Sequence, residues 1–264
     1  MSRRDDNVLL ACVRRVRRDI ADIVRDPPPG IYIAPDENDI TRIDALVVGP
    51  PGTPYQGGFL LFHLAFPPEY PIRPPEVRFL NADAGQAQLH PLFLQDGRVS
   101  VSILDTCRGL DEWSSAQSLC SLLVSIQSLL AEDPYYEQEM FHGMYRNKET
   151  YREKANKYKA YVHHEVFRVT VCDAVENCLQ ERSVYPPVLR ETVLKLFLEC
   201  YERYEESVSS RLHLNATAMP DPDNLIFGTE GTHRGTYRYE ELLERLRDLK
   251  AKVEKRGQPM ETDA

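Results

Sequence analysis

Between His90 and Leu104 the chain reads HPLFLQDGRVSVSIL, and this stretch gathers the side chains best placed to do chemistry. It has the layout of an active-site loop: His90-Pro91-Leu92, an Asp96-Gly97 turn, the hydroxyl of Ser100, and Cys107-Arg108 close behind. A serine hydroxyl does not ionise near neutral pH, so Ser100 needs a general base to attack a carbonyl; His90 is the one to consider. A thiol ionises far more readily, and Arg108 beside Cys107 favours the thiolate. Each group also has a plainer reading, His90 as a structural hydrogen-bonder and Cys107 as an ordinary loop cysteine.

The flanking segments must position this loop. Leu9, Val13, Val16, Ile20 and Ile23 recur at helical steps, which predicts an amphipathic helix over Leu9 to Val24 with Arg14, Arg15, Arg18 and Arg25 opposite. That basic stripe is either a solvated surface or a docking face for an acidic partner. Pro27 to Gly30 stops the helix. Short strands follow: Ile43 to Val47, Phe59 to Phe66 with a structural His63 inside it, and Val77 to Leu80. The proline-rich run Pro67 to Pro75 cannot join a ladder and reads as a rigid connection. After the His90 loop, a helix is predicted from Trp113 to Ala131, capped by Ser114 or Ser115, with Leu119, Leu122, Leu123, Ile126 and Leu130 buried. Lys148 to Val175, Val188 to Leu212 and Tyr239 to Lys255 are further helices, with Glu241 and Arg245 spaced to pair. Asn215 to Gly235 reads as a loop.

Composition narrows the function. The chain has 264 residues, 42% hydrophobic and 28% charged, with a net charge of -9. That charge argues against nucleic acid as a general partner. No apolar run reaches the roughly 20 residues that span a bilayer, and the arginine-broken N-terminus is neither a signal peptide nor an anchor. Cys12, Cys107, Cys120, Cys172, Cys178 and Cys200 show no Cys-x-x-Cys pair, so neither a zinc site nor any other metal is expected. They read as reduced thiols of a cytoplasmic or nuclear protein.

Taken together, Arg25-Asp26-Pro27-Pro28, Gly49-Pro50 with Thr53-Pro54-Tyr55-Gln56-Gly57-Gly58-Phe59, Phe66-Pro67-Pro68-Glu69-Tyr70-Pro71 with Pro74-Pro75, His90-Pro91 and Trp113-Ser114 resemble the core domain of ubiquitin-conjugating enzymes. Arg168-Val169, Val171-Cys172-Asp173, Phe197-Leu198-Glu199 and Arg211-Leu212-His213-Leu214 resemble the extension of that family's Z type. The resemblance implies an α+β fold: an N-terminal helix, a four-stranded antiparallel meander and C-terminal helices, plus a helical extension. It divides the chain into a core at 9–165, an extension at 166–256 and a tail at 257–264. It also implies no cofactor, and three kinds of partner: ubiquitin or a ubiquitin-like modifier, an activating enzyme, and ubiquitin ligases.

The family's reaction is acyl transfer through a cysteine thioester, assisted by the Asn of a His-Pro-Asn motif. Here Ser100 stands at the nucleophile position and Leu92 at that of the Asn, which predicts a catalytically impaired variant acting by binding. The alternatives are an active enzyme that uses a Ser100 oxyester or a Cys107 thioester, and an interaction domain whose long C-terminal helices are the functional part. The partner-binding positions carried over from the family are Arg14, Arg15 and Arg18, Ile72 in the proline-rich loop, and Ser115-Ala116. An acidic gate maps onto Glu137 to Glu139.

Overall fold

The computed structural model describes residues 3–81, 87–104, 113–137, 149–228 and 235–257. Helix α1 (Arg3–Arg25) leads into strands β1 (Ile31–Pro35), β2 (Arg42–Val48), β3 (Phe59–Ala65) and β4 (Glu76–Phe79). They form one antiparallel sheet in the order β1-β2-β3-β4, the meander expected, with Ile33, Ala45, Phe62 and Phe79 aligned across it. Helix α2 (Leu119–Leu129) packs on β2 and α1. Helix α3 (Glu149–Glu165) passes without a break into a π-helical segment, Val166–Asp173, and then α4 (Ala174–Leu179); α5 (Pro187–Ser209), α6 (Pro222–Phe227) and α7 (Tyr239–Gly257) follow.

Several sequence expectations need correction. Helix α1 begins at Arg3 rather than Leu9, and β1 had not been located. Helix α2 starts at Leu119, not Trp113: Ser114 instead closes a turn, its carbonyl accepting the Gln117 N–H, and Ser118 is the cap through a capping box with Ser121. The expected 215–235 loop contains α6, started by Asp221 and ended by left-handed Gly228. Leu46 on β2 is fully buried, as are its neighbours Ala45 and Val47, so both faces of this strand are covered. Phe59 and Leu61 are buried with it, because the C-terminal helices meet the sheet at β3 and β1. Glu241 and Arg245 do not pair. Arg245 reaches Asp173 at 2.7 Å and Glu176 at 3.0 Å, while Glu241 faces Arg238.

The C-terminal helices join the core through two devices. At the first, Gly57 and Gly58 let backbone and helix come close. A Cβ on Gly57, which has φ +76°, would lie 2.5 Å from the Tyr204 ring, and one on Gly58 would lie 2.5 Å from Thr170 Oγ1. The Tyr204 hydroxyl then donates to the Gly57 carbonyl at 2.8 Å. At the second, Asn81 prolongs β4 with its side chain. Its Oδ1 accepts the Leu61 N–H, and its Nδ2 donates to the Phe59 carbonyl and the Tyr185 hydroxyl. Buried backbone groups left without partners cost about 1–3 kcal/mol each. Asn81→Ala is therefore expected to lower the unfolding free energy by roughly 3 kcal/mol. Urea denaturation checks this, with Asn38→Ala on the exposed β1–β2 turn as the near-neutral comparison.

Candidate functional site

The His90 loop is a small hairpin hung from the sheet. Phe93 and Val99 face each other as a bridge, the Leu94 N–H donates to the Arg98 carbonyl, and the Gly97 N–H donates to the Leu94 carbonyl. Gly97 has φ +82°, the left-handed residue that such a short turn requires. A Cβ there would also press on the Phe79 carbonyl at 3.0 Å. The Gly97 carbonyl accepts the Phe79 N–H at 2.7 Å, which ties the hairpin to β4. Asp96 holds the tip: its Oδ1 accepts the Arg98 N–H and its Oδ2 the Arg98 side chain, and the first of these bonds leads in keeping its carboxyl below the usual range.

Buried groups fix the hairpin from behind. Gln88 donates to the His90 and Phe93 carbonyls at 2.7 and 2.9 Å. Tyr55 donates to the Leu89 carbonyl and Tyr158 of α3 to the Gln88 carbonyl. Phe93 packs among Phe62, Phe79 and His90. Sequence reasoning had no signal for Gln88, Tyr55 or Tyr158 in these roles, since their partners are backbone carbonyls, which carry no residue signature, and those of Tyr55 and Tyr158 lie far along the chain.

Within this frame His90 has no capacity left for catalysis. It is fully buried; its Nε2 donates to the Leu129 carbonyl at the end of α2, and its Nδ1 accepts the Leu92 N–H. Only the Nε2-protonated neutral ring satisfies both neighbours. Burial pushes its pKa down to about 3. A general base needs a free lone pair, and the ring's single one is taken. Leu92 contributes its backbone to the loop, with its carbonyl accepting the Ser100 N–H at 2.8 Å, and its side chain packs against the core. Ser100 is half-buried at the outer edge of the hairpin.

Most of the other expected positions are exposed. Arg14 and Arg18 are exposed on α1, Ile72 is 78% exposed, and Ser115 and Ala116 are exposed. Arg15 differs from the expected outward stripe. Its guanidinium turns inward to Asp19, to the Ser115 carbonyl and to the Gln117 carbonyl, over the Tyr70 ring. Glu137 closes a short 3₁₀ turn. Cys107, Arg108 and Gln138-Glu139 lie outside the described residues. Among the described residues no cluster of His, Cys, Asp and Glu is arranged to hold a metal, and no helix is long and apolar enough to cross a membrane.

A meander flanked by α1 and α2, with a His-Pro loop pinned to β4 and to the end of α2, has the layout of the ubiquitin-conjugating class of fold. The family model described as ubiquitin-conjugating enzyme matches residues 15–164, and the chain belongs to that family. It is 39% identical over 252 residues to ubiquitin-conjugating enzyme E2 Z of Danio rerio, covering 96% of this chain and 72% of the relative. It is 40% identical over 242 residues to the Homo sapiens protein of the same name, covering 92% and 64%. The solved structure of human ubiquitin-conjugating enzyme E2 G1 is 33% identical, covers 44% of this chain and 92% of its own, and superposes with a TM-score of 0.39.

His90 also sets a pH dependence. Its folded pKa lies below the ordinary imidazole value of 6.5, so the unfolded chain takes up the proton first. Its contribution to stability is complete above that value and is lost as pH falls towards about 3, by about 1.4 kcal/mol per pH unit. Between pH 6.5 and about 5, His90→Gln is expected to lose roughly 2 kcal/mol less unfolding free energy than the parent, measured by urea denaturation at both values.

Proposed function

We propose that this chain is a conjugating-enzyme-like protein that does not charge itself with a modifier and works by binding. Its partners on this reading are ubiquitin or a ubiquitin-like modifier, the activating enzyme that would deliver it, and ubiquitin ligases. One observation carries the reading. Ser100 occupies the nucleophile position of a fully braced loop in which the single histidine lone pair is already committed to the Leu92 N–H. His90 therefore cannot activate the Ser100 hydroxyl, and a hydroxyl is a far weaker nucleophile towards a thioester than the thiolate of a cysteine. Leu92 also removes a side-chain donor whose loss costs about 10²–10³ in rate in other acyl-transfer enzymes. The surfaces that would meet partners remain presented: Arg14 and Arg18 on α1, Ile72, and Ser115-Ala116 are all exposed.

The test is a charging assay with ATP, activating enzyme and ubiquitin or a ubiquitin-like modifier, read without reductant. No adduct is expected. A thiol-labile adduct lost in Cys107→Ser, or an alkali-labile one lost in Ser100→Ala, would establish a working enzyme and overturn the proposal.

Two further outcomes are expected. Ser100→Cys alone charges about 10²-fold more slowly than Ser100→Cys with Leu92→Asn; equal rates would remove Leu92 from the argument. Arg14→Glu with Arg18→Glu weakens capture of the activating enzyme in a pulldown while leaving thermal unfolding unchanged, and undiminished capture would take α1 out of the interface.

A further inference from the structure

Away from the His90 loop, the Gly52–Gln56 turn faces α3 and α5 across a pocket of about 210 Å³. Lys159 and His163 line it from α3, and Ser207 and Arg211 from the end of α5. No carboxylate is among its described lining residues, in a chain whose net charge is -9. Arg211 is the notable group. Several guanidinium groups on the C-terminal helices are matched with acids, Arg168 with Glu165, Arg245 with Asp173, Arg247 with Glu205 and Arg256 with Glu191, while Arg190 and Arg203 donate to the Cys178 carbonyl and to Cys200 Sγ. Arg211 is half-buried, and its guanidinium makes no hydrogen bond or ion pair with any described residue. Its five donors open on the pocket, and their fork suits two oxygens of one anion.

A hydroxyl is aimed at the same space. His163 is buried, with Nε2 at 2.9 Å from Ser207 Oγ and Nδ1 at 3.4 Å from the Tyr239 hydroxyl. With Tyr239 donating to Nδ1, the ring proton sits on Nε2 and donates to Ser207 Oγ, which frees the Ser207 proton for a ligand. Lys159 adds a second cation, steadied by Glu132 and Asp133 on its solvent side. Arg211 supplies the unmatched charge, Lys159 an ammonium donor shared with Glu132 and Asp133, and Ser207 a hydroxyl, and three such donor groups suit an anion with three acceptor oxygens better than a carboxylate.

The pocket does not end there. Gln56, Phe167 and Ser207 also line an adjoining cavity of about 170 Å³, which runs past Phe167 and Cys200 to Tyr204. Each space alone is smaller than an ordinary small-molecule site, and joined they hold a compact ligand with one anionic and one apolar end.

We propose that this cleft binds a small phosphate monoester, with the phosphate between Arg211, Lys159 and Ser207 and the organic part against Phe167 and Tyr204. Its occupant touches the Gly52–Gln56 turn, α3 and α5 at once, so binding holds these segments together and raises the stability of the folded chain.

The experiment is calorimetric titration of phenyl phosphate into the full chain in low-salt buffer, with inorganic phosphate and phenol in parallel. Phenyl phosphate is expected to bind more tightly than inorganic phosphate, and phenol not to bind. Arg211→Gln weakens phenyl phosphate about tenfold or more, the loss of a charge-assisted bidentate contact. Lys159→Gln, on the outer side of α3, is the second variant and weakens it severalfold. Lys195→Gln, an equal charge change on the exposed face of α5, leaves it unaltered. Equal affinity in the parent, Arg211→Gln and Lys159→Gln would overturn the site. Phenyl phosphate binding no tighter than inorganic phosphate would overturn the monoester assignment.

Discussion

A buried carboxylate holds the core together. Asp19 is 3% exposed on α1 and accepts from three directions: the Arg15 side chain, the Tyr70 hydroxyl, and the Leu119 N–H that opens α2. Those bonds join three segments that are distant in sequence, namely the first helix, the proline-rich connection and the second helix. The neighbours of Asp19 extend the joint. Arg15 donates onward to the Ser115 and Gln117 carbonyls, and Trp113 donates to the Pro71 carbonyl. Burial, then the bond to Asp19, pushes the Tyr70 hydroxyl far above its ordinary pKa, so it remains a donor throughout the accessible pH range. A buried charge is tolerated only when paired and fully hydrogen-bonded, and here it is both. The start of α2 and the position of the proline-rich connection are therefore both fixed to one side chain on α1.

This joint also shows what a sequence can and cannot reveal. The apolar stripes of α2, α5 and α7 repeat at helical steps because each helix buries one face, and those elements were legible. The order of the loop motifs was legible too. Arg15 was misplaced because a basic stripe reads the same whether a guanidinium faces water or a carbonyl. The start of α2 was misplaced because Ser114, Ser115 and Ser118 are equal candidates by composition; only the turn closed by Ser114 leaves Ser118 as the cap. The Glu241–Arg245 pairing failed for a related reason. Spacing along a helix reports only local neighbours, and Asp173 and Glu176 reach Arg245 from across a helix interface.

The candidate site divides along the same line. That Ser100 and Leu92 stand where a nucleophile and a donor are expected was visible from the residues alone. That His90 has no spare lone pair was not, because its partners are the Leu129 carbonyl and the Leu92 N–H, backbone groups that carry no residue signature. Apart from the Asp96–Arg98 side-chain pair at the tip, the bonds described for the loop all have a backbone group as partner. Such a loop keeps its form while the side chains that would do chemistry on it change, so shape and reactivity are separable here.

The π-helical segment Val166–Asp173 shows how tightly the rest is phased. Six of its eight residues are buried, on several sides of the rod at once, because β3 and α7 close on it and Tyr204 of α5 packs on Phe167. In an α-helix each residue advances the rod by about 100°. A π-helix has more residues per turn, so each advances by less. Letting the same eight residues relax to α geometry would keep their composition and hydrophobicity, yet it would turn everything after them, carrying Asp173 away from Arg245 and Cys178 away from Arg190. The segment thus works as a phase shifter between two helices, and its hydrogen-bond pattern sets which faces the following helix presents.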